Sequence, residues 1–129
     1  MSTVPPSQNI RVLVRSEYIS AQSSTEEQRF VFAYHVTIEN RGSTAAKLLS
    51  RHWIITDGDQ HVQEVKGDGV IGQQPTIEPG DSYKYSSGAV IKTPVGTMQG
   101  SYQMIDEISG SAFNANIPVF RLASPNAIN

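Results

Sequence analysis

Arg29-Phe30-Val31-Phe32-Ala33-Tyr34-His35-Val36-Thr37-Ile38-Glu39-Asn40 is the stretch on which the fold reading turns. Phe30, Phe32, Tyr34, Val36 and Ile38 recur at every second position, and successive side chains of an extended strand point to opposite faces of its sheet. Five large apolar residues therefore share one face, while Val31, Ala33, His35, Thr37 and Glu39 share the other. The run predicts a strand that covers a core with one face. Asn40-Arg41-Gly42-Ser43 follows, rich in residues that tolerate turns, and predicts a chain reversal.

The same period extends outward in both directions. Upstream, Ile10, Val12 and Val14 alternate within Ile10 to Ser16. Downstream, Ala45 to Thr56 opens with helix formers but ends in Trp53-Ile54-Ile55-Thr56, and it reads as a strand running into Asp57-Gly58-Asp59, a hairpin signal. His61 to Val65 is its expected short partner, polar enough for a sheet edge. Gly67 to Gly80 concentrates Gly67, Gly69, Gly72, Pro75, Pro79 and Gly80, which predicts a long ordered loop or broken edge. Tyr83 and Tyr85 share a face of Asp81 to Ile91. Met98, Gly100, Tyr102 and Met104 share one in the next segment, and Phe113, Ala115, Ile117 and Val119 in the last. About seven short strands without intervening helices predict an all-β antiparallel β-sandwich. Trp53 is expected in its core, its indole N–H satisfied by a nearby acceptor.

Composition agrees. The 129 residues suit one domain with a core of its own. Eleven Val and 12 Ile against four Leu and nine Ala favour strands over helices. The net charge is −2 and the ten basic residues are scattered, so no block creates a field for a phosphate backbone, and nucleic-acid binding is not expected. The absence of Cys excludes disulfides, thiolate nucleophiles and thiolate-ligated zinc. No apolar run approaches the ~18 residues of a membrane span, and Met1-Ser2-Thr3-Val4-Pro5-Pro6 lacks the pattern of a signal peptide, so a cytoplasmic location is the expectation.

Chemical motifs are sparse. Gly67-Asp68-Gly69-Val70-Ile71-Gly72 has the spacing of a dinucleotide fingerprint, but Gln73-Gln74-Pro75 cannot open the helix that such a site requires. What survives is a candidate anion nest of backbone amides at Gly67, Gly69 and Gly72 with the charge of Lys66, opposed by Asp68. Asp57, Asp59 and Asp68 are candidate hard-oxygen ligands for Mg²⁺ or Co²⁺, although Val62 stands where a calcium-loop glycine belongs. His35 and His52 are expected on strands as surface or rim residues. No nucleophile elbow, metalloprotease helix or phosphate-loop lysine is present, and no enzymatic activity and no obligatory cofactor are expected. Leu13 and Val31, on the outer faces of their strands beside Arg11 and Arg15, form a candidate patch for a protein partner.

A family resemblance follows from a longer series: Val31-Phe32-Ala33-Tyr34; Gly67 to Gly72 with Gln74-Pro75; Pro79-Gly80; Tyr85-Ser86-Ser87-Gly88-Ala89; Thr93 to Gly100; and Ile117-Pro118-Val119-Phe120-Arg121-Leu122. The chain resembles the bacterial ApaG family, also called CorD, along nearly its whole length, with Asp68 where the family more usually has Glu. The resemblance implies a fibronectin type III-like or immunoglobulin-like sandwich. It also implies a single ApaG domain over residues 1–129, within which the Pro-containing stretch 1–8 reads as a flexible arm and 123–129 as a loose tail. Related domains in F-box proteins and in a DNA-polymerase-interacting protein imply a protein-interaction module, expected as a monomer or homodimer. The family's associations with diadenosine-tetraphosphate hydrolysis and with cobalt and magnesium tolerance assign no reaction to the polypeptide.

Overall fold

Alternation along the chain becomes two facing antiparallel sheets. The computed structural model describes residues 9–125. Its strands are β1 (Ile10–Tyr18), β2 (Phe30–Asn40), β3 (Ala46–Asp57), β4 (Val62–Asp68), β5 (Thr76–Ile77), β6 (Ser82–Ile91), β7 (Val95–Asp106) and β8 (Ala112–Ala123). One sheet has the order β1-β2-β6, the other β4-β3-β7-β8, with β5 paired to the start of β3. This is an immunoglobulin-like sandwich in which the fourth strand lies beside the third rather than in the first sheet. The eighth strand, beyond the seven expected, is the two-residue β5. The Gly67 to Gly80 segment is accordingly not all loop, because Gly67 and Asp68 end β4 and Thr76–Ile77 pairs with Ala46 and Lys47.

The decisive stretch behaves as its pattern requires. Phe30, Phe32, Tyr34, Val36 and Ile38 are all buried, and the intervening residues are half-buried on the outer face. Against them the second sheet sets Leu48, Trp53, Ile55, Met98, Tyr102, Met104, Ala115, Ile117 and Leu122. Trp53 is 2% exposed, with Tyr34 and Phe120 ring centroids 5.2 and 5.9 Å away in edge-on arrangements. Its indole N–H, expected to find an acceptor, has no hydrogen-bond partner among the described residues.

Two bulges correct the simple alternation. Leu49 is an extra residue on β3, since Leu48 faces Met104 and Ser50 faces Gln103, and this brings Trp53 to the same side as Leu48. On β8, Met98 faces Phe120 while Gly100 faces Ile117, so Pro118 and Val119 span one step of the partner strand. Val119, expected inside, is 58% exposed, and Phe120 turns in instead. Near this irregularity Gly100 lets β7 approach β3 closely: a Cβ there would stand 2.0 Å from the His52 carbonyl oxygen.

The Asp57 hairpin exists, but with other turn chemistry. Its positive φ of 68° falls on Gln60 rather than Gly58, and the Asp57 carboxylate caps the turn by accepting the amides of Asp59 (2.8 Å) and His61 (3.0 Å). At the end of β7, Asp106 likewise accepts the amides of Ile108 and Ser109, each at 2.9 Å, and the Thr44 hydroxyl at 2.6 Å. The expected arm, residues 1–8, lies outside the described residues. Of the expected tail, Ala123 completes β8, Ser124 is buried with its amide donating to Pro94, and 126–129 lie outside the described residues.

Candidate functional site

The glycine-rich segment is ordered by its neighbours on β3. Gly67 pairs with Arg51, whose guanidinium lies over it and donates to the carbonyls of Asp68 (3.1 Å) and Gly69 (3.0 Å). Gly69 has φ 61°, and a Cβ there would meet the Gln73 carbonyl oxygen at 2.2 Å, so only glycine fits. Val70 and Gln73 then exchange hydrogen bonds of 2.8 and 3.0 Å around Ile71 and Gly72. Both central residues have positive φ, 48° and 73°, the pattern of a type I′ turn, which ordinarily takes Asn-Gly. A β-branched residue in this region is strained by about 1–3 kcal/mol. Val70 is fully buried, whereas the strained Ile71 is 61% exposed.

The candidate anion nest is not assembled. The amide of Gly69 donates to Leu49 and that of Val70 to Gln73, while Gly67 lies in the β3–β4 ladder. Lys66 and Gly67 are strand neighbours and face opposite sides of the sheet. No helix starts at Gly72 to supply a dipole; the chain passes through Gln73–Pro75 into β5.

The candidate metal ligands are likewise separated. Asp68 pairs with Ser50, and Asp57 lies seven residues further along β3, a span of about 23 Å. Asp57 already spends one oxygen on two amides. Burial works to raise its carboxyl, yet the His61 and Asp59 amides and the His61 ring together hold it below the ordinary carboxylate range. Among the described residues no three His, Asp or Glu side chains group as a metal would require. The donor set of Asp57, Asp59 and Asp68 does not fit a single Mg²⁺ or Co²⁺ ion.

The candidate partner patch divides in two. Arg11, Leu13, Arg15 and Val31 do share the outer face of the β1-β2-β6 sheet, but Leu13 pairs with Thr37, six residues along β2 from Val31, or about 20 Å. Val31 pairs instead with Val90, which is 50% exposed. Between the two ends stands a constellation that sequence spacing did not reveal: His35 Nδ1 lies 2.6 Å from Ser86 Oγ, and its Nε2 lies 2.8 Å from a Glu17 carboxylate oxygen. Strand register alone joins these residues. Hydrolytic triads draw their rate from donors preorganised in a water-excluded site, whereas here the His35 and Glu17 side chains remain 31% and 49% exposed on an open sheet. The geometry ties three strands together. On the other sheet His52 Nε2 similarly bonds Glu64 at 2.9 Å.

The strain at exposed Ile71 and the pairing of two tyrosines across the sheets had no signal in the sequence, although alternation placed each tyrosine on a strand face. Tyr85 and Tyr102 hydrogen-bond through their hydroxyls, and burial pushes both phenols up, so both stay neutral.

An antiparallel sandwich of two open sheets defines the class of molecule. Within that class, the ApaG domain family profile matches residues 20–106. Protein ApaG of Pseudomonas putida strain W619 is 60% identical over 124 residues, covering 96% of this chain and 98% of that protein. A structural-genomics X-ray structure superposes with TM-score 0.88 at 49% identity, covering 94% of this chain and 91% of that one. A crystal structure from Bordetella pertussis gives 0.87 at 48% identity, covering 90% and 94%. The chain belongs to the ApaG family.

Proposed function

We propose that this ApaG-family chain is a non-catalytic, cytoplasmic binding module whose contact with a protein partner includes the Val70–Gln73 turn. One observation carries the reading: the fold holds a β-branched side chain in a left-handed conformation and exposes it, although an Asn at the same position would make the same turn without strain. Strain kept at an exposed apolar tip is of use only to something that touches the tip. Any link to cobalt or magnesium tolerance would then act through the partner, since the acidic residues are apart. Ile71→Asn tests the reading, because it relieves the turn and removes the contact together. Proximity labelling in the native cell should show a set of proteins lost from the variant at equal abundance. Identical sets for both forms would refute it.

A further inference from the structure

Each sheet of an open sandwich has two edges, and proteins blunt such edges with charge, bulges, proline or cover. On one side of this molecule β1 packs against β8, where Ser16 Oγ donates to the Arg121 carbonyl at 2.8 Å and β8 carries its Pro118 bulge. The β4 edge carries Glu64, Lys66 and Asp68. The remaining edge, β6, runs ten residues, pairs among the described residues only with β2 and bears one charge, Lys84. Hydrogen-bonded pairs alternate along β2–β6, and the Asn40 amide bonds the Asp81 carbonyl. The amides of Ser82, Lys84, Ser86, Gly88 and Val90 therefore point away from β2.

Among the described residues three strands face four, which leaves one position empty. With β1 over β8, sheet order puts β2 over β7 and β6 over β3, and β4 projects beyond. Val65 pairs with Trp53 and so faces inward, yet it is 37% exposed. On the inward face of β6, Ala89 and Ile91 are buried but Tyr83 and Tyr85 are only half-buried. A hollow of about 190 Å³ opens at one end of this gap, lined by Ile55, Asp57, His61, Gln63, Ile91 and Lys92.

We infer that this gap is a docking groove for an extended peptide, which adds to β6 as a fourth strand and lies over β4. The inference rests on the binding-module reading and names the class of partner. Main-chain pairing would supply affinity, and alternate side chains would supply specificity. Inward positions of the peptide are apolar where they cover Val65, Tyr83 and Tyr85 and where one side chain stands between Ile55 and Ile91, and polar or acidic where they meet the inward guanidinium of Arg51 over Gly67. An acidic residue belongs on the outer side beside Lys84, which, like Lys92, has no carboxylate within ion-pair distance among the described residues. A second copy does not fit: pairing β6 with its symmetry equivalent would drive the copy's β4 beneath this β6, where β3 already lies.

A displayed library of random twelve-residue peptides panned on the full chain, with the enriched peptide then titrated, tests this. The expected winner alternates apolar residues and slows hydrogen exchange at Ser82, Lys84, Ser86, Gly88 and Val90. It also binds Lys84→Pro about tenfold or more weakly, because a proline removes an edge donor. Lys84→Glu, which keeps the backbone intact, should weaken an acidic peptide and guards against misfolding of the proline variant. Peptides that bind while leaving those amides unprotected, or that bind both variants unchanged, overturn the groove and leave the module reading standing. Failure to enrich any peptide also overturns the groove, whereas the module reading falls only if labelling is insensitive to Ile71→Asn.

Discussion

The two sides of the sandwich differ although the same alternating pattern builds both. On the β1/β8 side, strand lies over strand, and Ile10, Val12, Ala115, Ile117 and Leu122 are buried. On the β4/β6 side the layers are unequal, and inward-facing Val65, Tyr83 and Tyr85 stay partly in solvent. Facing inward is therefore not the same as being buried. Burial needs a strand on the other side, which the β1/β8 side has and the β4/β6 side lacks among the described residues.

Substitutions should separate the two. Trp53→Ala, in the covered core, is expected to cost about 3–5 kcal/mol in urea unfolding. Its rung partner Val65→Ala, on the uncovered strand, is expected to cost no more than about 0.5 kcal/mol; equal losses would show that the gap is closed in solution. Gly100→Ala forces a methyl group against the His52 carbonyl and should cost about 2 kcal/mol by the same measurement. Ile71→Asn should move the other way, stabilising by about 1 kcal/mol as the positive φ ceases to be strained.

The smallest effect is the response to acid. The Thr44 hydroxyl and then the Ser109 and Ile108 amides outweigh burial and hold the Asp106 carboxyl below its ordinary 3.8. A carboxyl depressed by folding adds stability above its unfolded value, and that stability is lost as pH falls through the folded value. Melting temperature should therefore decline as the pH drops below about 4. Asp106→Asn should flatten that decline, and so should Asp57→Asn at the hairpin bordering the gap. A wild-type melting temperature constant down to pH 2 would contradict both assignments.

Most of the fold could be read from residues 10–16, 29–40 and 98–104, because there a period of two coincides with burial. Reading weakened wherever one residue interrupts the period. The bulge at Leu49 and the Pro118–Val119 step each reverse the side that faces in, and both depend on the partner strand. The site was less readable still. Lys66, Gly67, Gly69 and Gly72 were singled out by spacing, yet spacing does not say that Leu49 and Gln73 would take the amides of Gly69 and Val70. Glu17, His35 and Ser86 are 18 and 51 residues apart and meet only through register.

Local chemistry settled the extended backbone, the hairpin at Asp57 and the core face of each uninterrupted strand, since a strand's alternation and a turn's preferences act over a few residues. Long-range packing settled the rest: which strand stands at an edge, that four strands face three, and that an isoleucine is held in a left-handed turn with its side chain in water. Those depend on pairings between residues far apart in the chain, whose energies no short segment contains.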